Sequence, residues 1–582
     1  MILLKYNFCI KYKMSKYPKI NNDEFYKKIY KLFKRFKIKD KRLNMDEICF
    51  PSKFKLQLPQ QFVSEFITPS TPYKGLLLFH QIGAGKTCAA ISIAENFKGK
   101  KNILIVTPAS LIGNFYKELR SEWCTEDEYL KPTLRKELNK LIPSSDKYKE
   151  IIKKVNKKIN KFYTVLSYNK FVEKLKNKKI KLNNTLLIID EVQNIISESG
   201  TFYKTIYNSI SKAPDDIRIV LLSGTPIFDK PLEIGLTLNL LKLKDEFPKG
   251  NKFNEQFLIS KKLKSGEIKY TSKNLSKFKK LAKGYISYYR GAPPVAFPKK
   301  NIKIVNCKMS DYQYKSYKTV ASDEGPFRTG DILKLPNNFF IGSRLISNIA
   351  FPKKGINQEG YDLLNEDKLL MSNLKKYSIK FYKILKQIKQ SVGPVFIYSN
   401  FKEYGGLKSF VKVLEHHNFV NYKDFGEGEK RYAIWSGDEK HEMKEELKDI
   451  YNQYSNANGS KLKIILGSPS IKEGVSLLRV SEVHIMEPYW NMSRLDQVIG
   501  RAVRFCSHKD LPKKKRVVDI YIYIADHPKE EMTIDKYILN MAYKKNKIIS
   551  QFEMALKESA VDCNLNYYGN VYNKKDEHIE CE

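Results

Sequence analysis

The 582-residue sequence lacks long apolar runs and paired cysteine motifs, and it has few acidic residues for its length. Its eight cysteines stand singly and never form C-x-x-C, which argues against a zinc site and against a disulfide framework. Residues 1–4 are apolar but are followed by Lys5, a run too short for a signal peptide. No stretch approaches the ~20 apolar residues of a membrane span. These absences predict a soluble protein of a reducing, cytoplasmic compartment, without a membrane partner.

The charge balance is strongly basic. The chain carries 105 Lys and Arg against 63 Asp and Glu, a formal net charge of +42. Such a surface attracts polyanions, so nucleic acid is the expected partner, and an acidic membrane surface is the alternative on charge alone. An AT-rich coding sequence would also enrich Lys, Asn, Ile and Tyr. The length, with 42% hydrophobic residues, indicates two or three packed domains.

Two series of short apolar runs, separated by helix-length segments, predict an α/β fold with parallel sheets. The series suggest two stacked nucleotide-binding-type domains. The predicted strands are 76–79, 103–107, 163–166, 186–189 and 217–222 in the first series, and 395–398, 433–435, 464–466, 483–486 and 520–524 in the second.

The pattern divides the chain into five parts. The segment between the two series has lysine clusters and a Gly-Ala-Pro-Pro break at 291–294, and a long helix is predicted over 533–560. The expected parts are a basic leader (1–50), a first α/β domain (51–245), an insertion or linker (246–375), a second α/β domain (376–528) and a helical tail (529–582).

A glycine-rich segment follows the first predicted strand and precedes a helix-forming run, as a phosphate-binding loop requires. Lys86 would reach the β- and γ-phosphates, and the Thr87 hydroxyl would hold Mg²⁺. The generic motif has glycine where this chain has His80. The predicted nucleotide-binding residues of this segment are His80, Gln81, Ile82, Gly83, Ala84, Gly85, Lys86 and Thr87.

Two carboxylates, Asp190 and Glu191, end the fourth predicted strand. Alone, they could be a solvated strand end. After a phosphate loop in the same α/β unit, Asp190 is expected to support Mg²⁺ and Glu191 to orient and deprotonate the attacking water. The Ser-Gly-Thr-Pro segment at 223–226 is either a simple turn or a turn that couples this strand to the second domain.

The second domain carries Gln497, Arg501 and Arg504 at helical spacings i, i+4 and i+7, after a Glu-Gly-Val loop at 473–475. A basic helix face is often only solvated. However, an arginine supplied by a separate domain can stabilise the charge of a phosphoryl-transfer transition state. Closure of two domains over one nucleotide would then be a ligand-driven hinge motion.

The motifs Gly-Ala-Gly-Lys-Thr, Asp-Glu-Val-Gln, Ser-Gly-Thr-Pro and Gln-x-x-Gly-Arg-x-x-Arg, in this order, resemble superfamily 2 helicases and translocases. The resemblance covers residues 55–565. The narrower likeness is to the group of poxvirus nucleoside triphosphatase I and the early transcription factor small subunit, found also in other large cytoplasmic DNA viruses and yeast cytoplasmic linear killer plasmids. The segments that carry it are 71–80, 228–231, 287–291, 398–401, 484–491, 507–508 and 560–563.

The resemblance implies two tandem RecA-like P-loop NTPase domains that use ATP and Mg²⁺. It implies that Arg501 and Arg504 are arginine fingers and that Gln497 senses the nucleotide. Gln60 stands where the family has an adenine-contacting glutamine, and Gln61 is an equally good register. Besides His80, the departure is at position 193, where a glutamine stands in place of the usual His or Asp.

Nucleic acid is expected to cross both domains through loops that follow strands, at 107–108, 167–169, 399–400 and 467–468, although each also reads as an ordinary turn. The Lys-rich stretch 153–181, with Phe162, Tyr163 and Tyr168, is either a stacking patch or a solvated helix face.

The leading hypothesis is an ATP-dependent helicase or translocase that serves transcription or replication of a cytoplasmic viral or plasmid genome, with a cytoplasmic RNA polymerase as a partner. The alternative is a transcription initiation or termination factor subunit whose NTPase switches binding without unwinding. A P-loop kinase or GTPase is disfavoured by the second domain with its arginines.

Overall fold

The computed structural model describes residues 17–40, 44–50, 55–81, 83–142, 145–264, 266–325, 331–333, 339–352, 355–472, 475–572, 576 and 578–582. Its strands form two parallel sheets and one antiparallel hairpin. The first sheet has the order β3-β2-β4-β5-β1-β8. Its strands are β1 (Gly75–His80), β2 (Asn102–Thr107), β3 (Tyr163–Ser167), β4 (Thr185–Ile189), β5 (Arg218–Ser223) and β8 (Ile286–Tyr289).

The second sheet has the order β11-β12-β13-β10-β14-β15-β9 and is also parallel. Its strands are β9 (Lys299–Lys308), β10 (Val395–Tyr398), β11 (Val420–Asn421), β12 (Arg431–Trp435), β13 (Ile464–Gly467), β14 (Glu482–Ile485) and β15 (Val517–Asp526). Every predicted strand is confirmed, with its ends at most three residues from the predicted ones. The apolar runs predicted them well because strands β1, β4 and β5 are buried along their whole length.

The segment 246–375, predicted to be an insertion or linker, contributes to both sheets. It forms the hairpin of β6 (Leu258–Lys262) and β7 (Ile268–Ser272), adds β8 beside β1, and adds β9 beside β15. The expectation of a purely connecting region is therefore too simple, because the residues after 246 complete the first sheet. The predicted domain bounds remain predictions.

Helices cover both faces of the sheets, as parallel strand connections require. They are α1 (Phe25–Phe33), α2 (Met45–Cys49), α3 (Leu58–Phe66), α4 (Lys86–Glu95), α5 (Ile112–Leu119), α6 (Glu122–Thr125), α7 (Pro132–Leu138), α8 (Asp146–Ile159), α9 (Tyr168–Lys176), α10 (Thr201–Ser211), α11 (Leu232–Asn239), α12 (Asn251–Phe257), α13 (Leu275–Ala282), α14 (Asp311–Glu324), α15 (Ile341–Asn348), α16 (Gln358–Asp362), α17 (Glu366–Leu369), α18 (Met371–Tyr377), α19 (Ile379–Gln390), α20 (Leu407–His416), α21 (Tyr422–Phe425), α22 (His441–Tyr451), α23 (Met492–Ile499), α24 (Ile534–Glu558) and α25 (Cys563–Asn570).

The long helix α24 confirms the prediction over 533–560. It joins the first half of the molecule, built on the first sheet, to the second half, built on the second sheet. At its start, Asp535 accepts a hydrogen bond from the backbone of β15 and pairs with the fully buried Lys380. Further along, Phe552 packs against Phe253 and Phe278, which come from helices beside the first sheet. Its buried positions recur at three- and four-residue spacing, so one apolar stripe contacts both halves.

The expectation of unpaired cysteines is wrong for the described part of the chain. Disulfides join Cys49 to Cys506, Cys88 to Cys124, and Cys563 to Cys581, whereas Cys307 is buried and unpaired. Sequence spacing reveals only local cysteine pairs, and the fold joins positions up to 457 residues apart. The inference of a reducing compartment loses its main support. Every helix of the described ranges is too short or too polar to cross a membrane.

Candidate nucleotide site in the cleft between the two sheets

The phosphate-loop segment lies between β1 and the first turn of α4. Gly83 and Gly85 have φ of 87° and 71°, the left-handed region in which a side chain would be strained. A Cβ at Gly85 would also lie 2.3 Å from the side chain of Gln60. The Lys86 ammonium donates a hydrogen bond to the carbonyl oxygen of His80, at 3.0 Å. Of the predicted loop residues, Ile82 lies outside the described residues.

Gln60 is buried and contacts the loop directly. Its amide nitrogen donates to the carbonyl oxygen of Gly85 at 3.0 Å, and its amide oxygen accepts from the Gln57 backbone. Gln61 instead donates to the carbonyl oxygen of Leu56. Of the two glutamines, Gln60 is therefore the one that contacts the phosphate loop, and it does not line the cavity described below. Contact of either glutamine with adenine stays a prediction.

The acidic pair lies at the carboxyl end of β4, beside the loop. Burial, and then the neighbouring Glu191, raise the pKa of Asp190 well above its ordinary value, while a hydrogen bond from the Thr107 hydroxyl opposes this shift. Gln193 donates to the Glu191 carboxylate at 2.6 Å and accepts from the Ser223 hydroxyl at 2.7 Å. The unusual glutamine thus ties Glu191 to the Ser-Gly-Thr-Pro turn, a link that spacing alone could not reveal.

The second sheet supplies the cationic side of the cleft. Helix α23 ends at Ile499, so Arg501 and Arg504 lie in the turn after it rather than on the predicted helix face. Both guanidiniums donate to the carbonyl oxygen of Val475. Burial, and then Arg501, lower the pKa of Arg504 to about 9. Residues 473–474 of the preceding loop lie outside the described residues.

A cavity of about 410 Å³ joins these groups. Both sheets contribute, which is the arrangement that the two-domain hypothesis required. The predicted residues that line it are Gln81, Gly83, Gly85, Lys86, Thr87, Asp190, Glu191, Gln497, Arg501 and Arg504. Lining residues that the sequence did not predict include Asn114, Phe115, Asn194, Ser476 and Phe505.

Like Gln60, the predicted nucleotide-binding residues His80 and Ala84 do not line the cavity. The His80 ring is fully buried, and its Nε2 lies 2.9 Å from the Ser287 hydroxyl. Burial, and then Lys86, lower the pKa of His80 to about 3, so the ring is neutral. Ala84 is fully buried under the loop.

The donor set of the cleft suits Mg²⁺. Among the described residues, no group of three or more His, Cys, Asp or Glu forms a complete metal cage. Mg²⁺ in nucleotide sites needs none, because it is held by one or two protein oxygens together with phosphates and water. The Thr87 hydroxyl and the Asp190 carboxylate, both at the cavity wall, fit that requirement.

The predicted nucleic-acid loops are at the carboxyl ends of their strands, but their hydroxyls are engaged internally. Thr107 bonds Asp190, Ser167 caps α9, and Ser399 donates to Glu487. In the Lys-rich stretch, Tyr163 and Tyr168 are buried and cannot stack on bases. Of the two alternatives for this stretch, a stacking patch would therefore lack these two rings, because both belong to the hydrophobic core.

Comparisons with known proteins agree with this architecture. A family model described as the SNF2-related domain matches residues 17–387, and one described as the helicase conserved C-terminal domain matches residues 379–506. A protein of Acanthamoeba polyphaga mimivirus, named as an ATP-dependent RNA helicase, is 51% identical over 97% of this chain and 99% of its own length. A second mimivirus protein with that name is 28% identical over 92% and 77%. An African swine fever virus protein, named as a termination factor NPH-I homolog, is 27% identical over 85% and 77%.

Proposed function

Because this chain belongs to the SNF2-related, superfamily 2 helicase family, in the viral group that includes NPH-I, we propose that the cleft between the two sheets is its ATP-hydrolysing site. The chain is an ATP-hydrolysing enzyme of the helicase type. The observation that carries the site assignment is the single cavity lined by the phosphate loop and both carboxylates on one side and by Arg501 and Arg504 on the other.

Each side of the cleft has a distinct task. Lys86 and the backbone N–H groups of the glycine-rich loop hold the phosphates at the start of α4. Thr87 and Asp190 would hold Mg²⁺, which supplies charge neutralisation on the phosphates when it is bound. Glu191, fixed by Gln193, orients and deprotonates the attacking water. Arg501 and Arg504 stabilise the negative charge that develops on the transferred phosphoryl group.

Hydrolysis is coupled to motion through contacts that link the Ser-Gly-Thr-Pro turn to the second half. Gln497 donates to the Thr225 hydroxyl at 3.4 Å, and Ser493 donates to the carbonyl oxygen of Ile227 at 3.3 Å. Lys545 of α24 pairs with Asp229 at 2.8 Å. Opening and closing of the cleft around ATP would shift these contacts together, which is the hinge motion that a translocase needs.

We infer that the polymer on which this motor acts is nucleic acid, bound mainly through phosphate contacts. The net charge of +42 supports this inference. The relatives named as RNA helicases and as a termination factor homolog support RNA as the first polymer to test and a viral RNA polymerase as the partner. The proposed setting is transcription of a cytoplasmic viral genome.

The test is phosphate release measured in parallel with no polymer, single-stranded DNA, duplex DNA and RNA. We expect stimulation by at least one polymer and its loss at high salt, because phosphate contacts weaken as salt rises. The Lys86→Ala protein serves as the inactive control. If no polymer stimulates hydrolysis by the intact protein, the motor assignment is wrong. A strand-displacement assay with the stimulating polymer then separates unwinding from a binding switch without unwinding.

A further inference from the structure

Three segments meet beside the phosphate loop, and two of them lie outside the general helicase motifs. They contain His80 at the end of β1, Ser287 in β8, and Asp562 between α24 and α25. All three side chains are fully buried. His80 Nε2 lies 2.9 Å from the Ser287 hydroxyl oxygen, and that hydroxyl lies 2.5 Å from the Asp562 carboxylate. A continuous buried chain of hydrogen bonds therefore joins the loop to the C-terminal part of the sequence.

The direction of these hydrogen bonds follows from the donors around Asp562. Its carboxylate accepts from the Ser287 hydroxyl, from the Tyr288 backbone N–H at 2.9 Å and from the Asn566 amide at 2.9 Å. Since the Ser287 proton points to Asp562, the Ser287 oxygen is left to accept from His80 Nε2–H. The neutral His80 ring supplies that proton.

The chain of hydrogen bonds ends at His80, the residue of the loop whose carbonyl oxygen orients Lys86. The His80 carbonyl oxygen accepts from the Lys86 ammonium, and the Gln81 N–H donates to the Tyr289 carbonyl oxygen of β8 at 3.0 Å. The turn after β8 also lies close to the loop, since a Cβ at Gly291 would lie 3.3 Å from the Ala84 Cβ. Strand β8 and the turn after it thus both contact the loop.

The C-terminal segment in turn holds β8. The Asn566 amide donates to the Tyr288 carbonyl oxygen at 3.0 Å, and Asn570 accepts from the Arg290 N–H at 2.8 Å. The Tyr572 hydroxyl donates to the Gly291 carbonyl oxygen at 2.8 Å. Successive residues after α24 therefore satisfy the backbone of β8 and of the turn beside the loop.

We propose that Asp562, acting through Ser287 and His80, positions the phosphate loop for ATP, so that the C-terminal segment is part of the nucleotide site. This role rests on the proposed assignment of that loop as the ATP site. Asp562 and Ser287 are positioning residues, because neither lines the cavity. A buried hydrogen bond is costly to lose, because the group that remains has no water to bind in place of its lost partner.

The test compares Ser287→Ala with Ser343→Ala. Ser343 is a matched control, since it is fully buried and donates to the Glu324 carboxylate at 2.6 Å in the second half. We expect Ser287→Ala to raise the KM for ATP about tenfold with a smaller change in kcat, because its lost bond acts on nucleotide placement. Ser343→Ala should leave both constants within about twofold while lowering the thermal midpoint similarly. Ser287→Thr, which keeps the hydroxyl, should restore the KM.

Asp562→Asn provides a second variant if Ser287→Ala does not fold. Its amide keeps an oxygen for the Tyr288 N–H but turns a donor toward Ser287 or Asn566, so the KM for ATP should again rise. An unchanged KM in the folded variants, or equal KM changes in Ser287→Ala and Ser343→Ala, overturns the positioning role. If instead Lys86→Ala binds a fluorescent ATP analogue as tightly as the intact protein, the ATP-site assignment itself fails and the positioning role fails with it.

Discussion

The two sides of the cleft are built differently. On the first-sheet side, each chemical group is fixed by neighbours of its own sheet: Glu191 by Gln193, and Lys86 by the His80 carbonyl. On the second-sheet side, Arg501 donates to the carbonyl oxygens of Gln497 and Val475, and Arg504 also donates to that of Val475. The nearby Gln497 crosses the cleft through a hydrogen bond of 3.4 Å.

This difference indicates which side carries fixed chemistry and which side moves. Preorganised groups act without reorganisation cost when charge develops, so the fixed side suits phosphate binding and water activation. The hydrogen bonds that Gln497 and Ser493 of the second-sheet side make across the cleft are 3.4 and 3.3 Å long, and such long bonds break at low cost, as a moving side requires. Movement of Arg501 and Arg504 would then transmit to the second half whether ATP or its hydrolysis products occupy the cleft.

The largest expected effect is on the fixed side. Glu191→Gln should lower kcat about a thousandfold, because it removes the proposed general base while leaving the phosphate contacts in place. Phosphate release measures the loss, and fluorescent-ATP binding should stay within about twofold. Glu198→Gln, an exposed neighbour, is the control. Equal activity of the two variants would remove Glu191 from the reaction.

The next effect concerns the moving side. Arg501→Ala should lower kcat about a hundredfold, less than Glu191→Gln, since Arg504 continues to supply positive charge. The variant is compared with Arg504→Ala and with the double variant by phosphate release. A double variant no worse than either single one would show that the two arginines act as one unit.

A matched glutamine pair sharpens the comparison. Gln193→Ala should lower kcat about tenfold, because Glu191 loses its orienting partner. Gln497→Ala should mainly raise the KM for ATP by a few-fold, because it removes a contact that forms across the cleft. Steady-state kinetics of both variants measure kcat and the KM for ATP. A KM effect in Gln193→Ala together with a kcat effect in Gln497→Ala would contradict the division into a fixed and a moving side.

The smallest expected effect is on stability, at Glu233 in α11, which bonds the segment just after the Ser-Gly-Thr-Pro turn. Burial, and then Asp229, raise the pKa of Glu233 to about 7. A raised native pKa means that this carboxyl favours folding below its unfolded value and loses that contribution as pH rises through about 7. Glu233→Gln keeps an oxygen for the Phe228 and Asp229 N–H groups, so it should stabilise the protein by about 1 kcal/mol at pH 8 and by less at pH 5. Denaturant unfolding at both pH values measures the change in the free energy of unfolding. A change of equal size at pH 5 and pH 8 would exclude titration of Glu233 as its cause.

Local patterns in the sequence were enough to predict most of the fold and the wall of the site. The buried strands and the glycine-rich loop depend on neighbouring residues, so apolar runs and spacing revealed them. The disulfides, strands β8 and β9, and the Gln193 link depend on residues far apart in sequence. His80 shows both limits, because its motif position placed it at the loop, whereas its side chain contacts Ser287 instead of lining the cavity.

The contact between β8 and the C-terminal segment also sets the order in which the protein can fold during synthesis. Ser287 and Asp562 are 275 residues apart. At roughly 5–20 residues per second, about 14–55 s pass between their emergence. The buried hydrogen bonds to the phosphate loop are therefore complete only after nearly the whole chain has been synthesised. A truncated chain that stops before Asp562 would lack the contact between Ser287 and Asp562 that supports this loop.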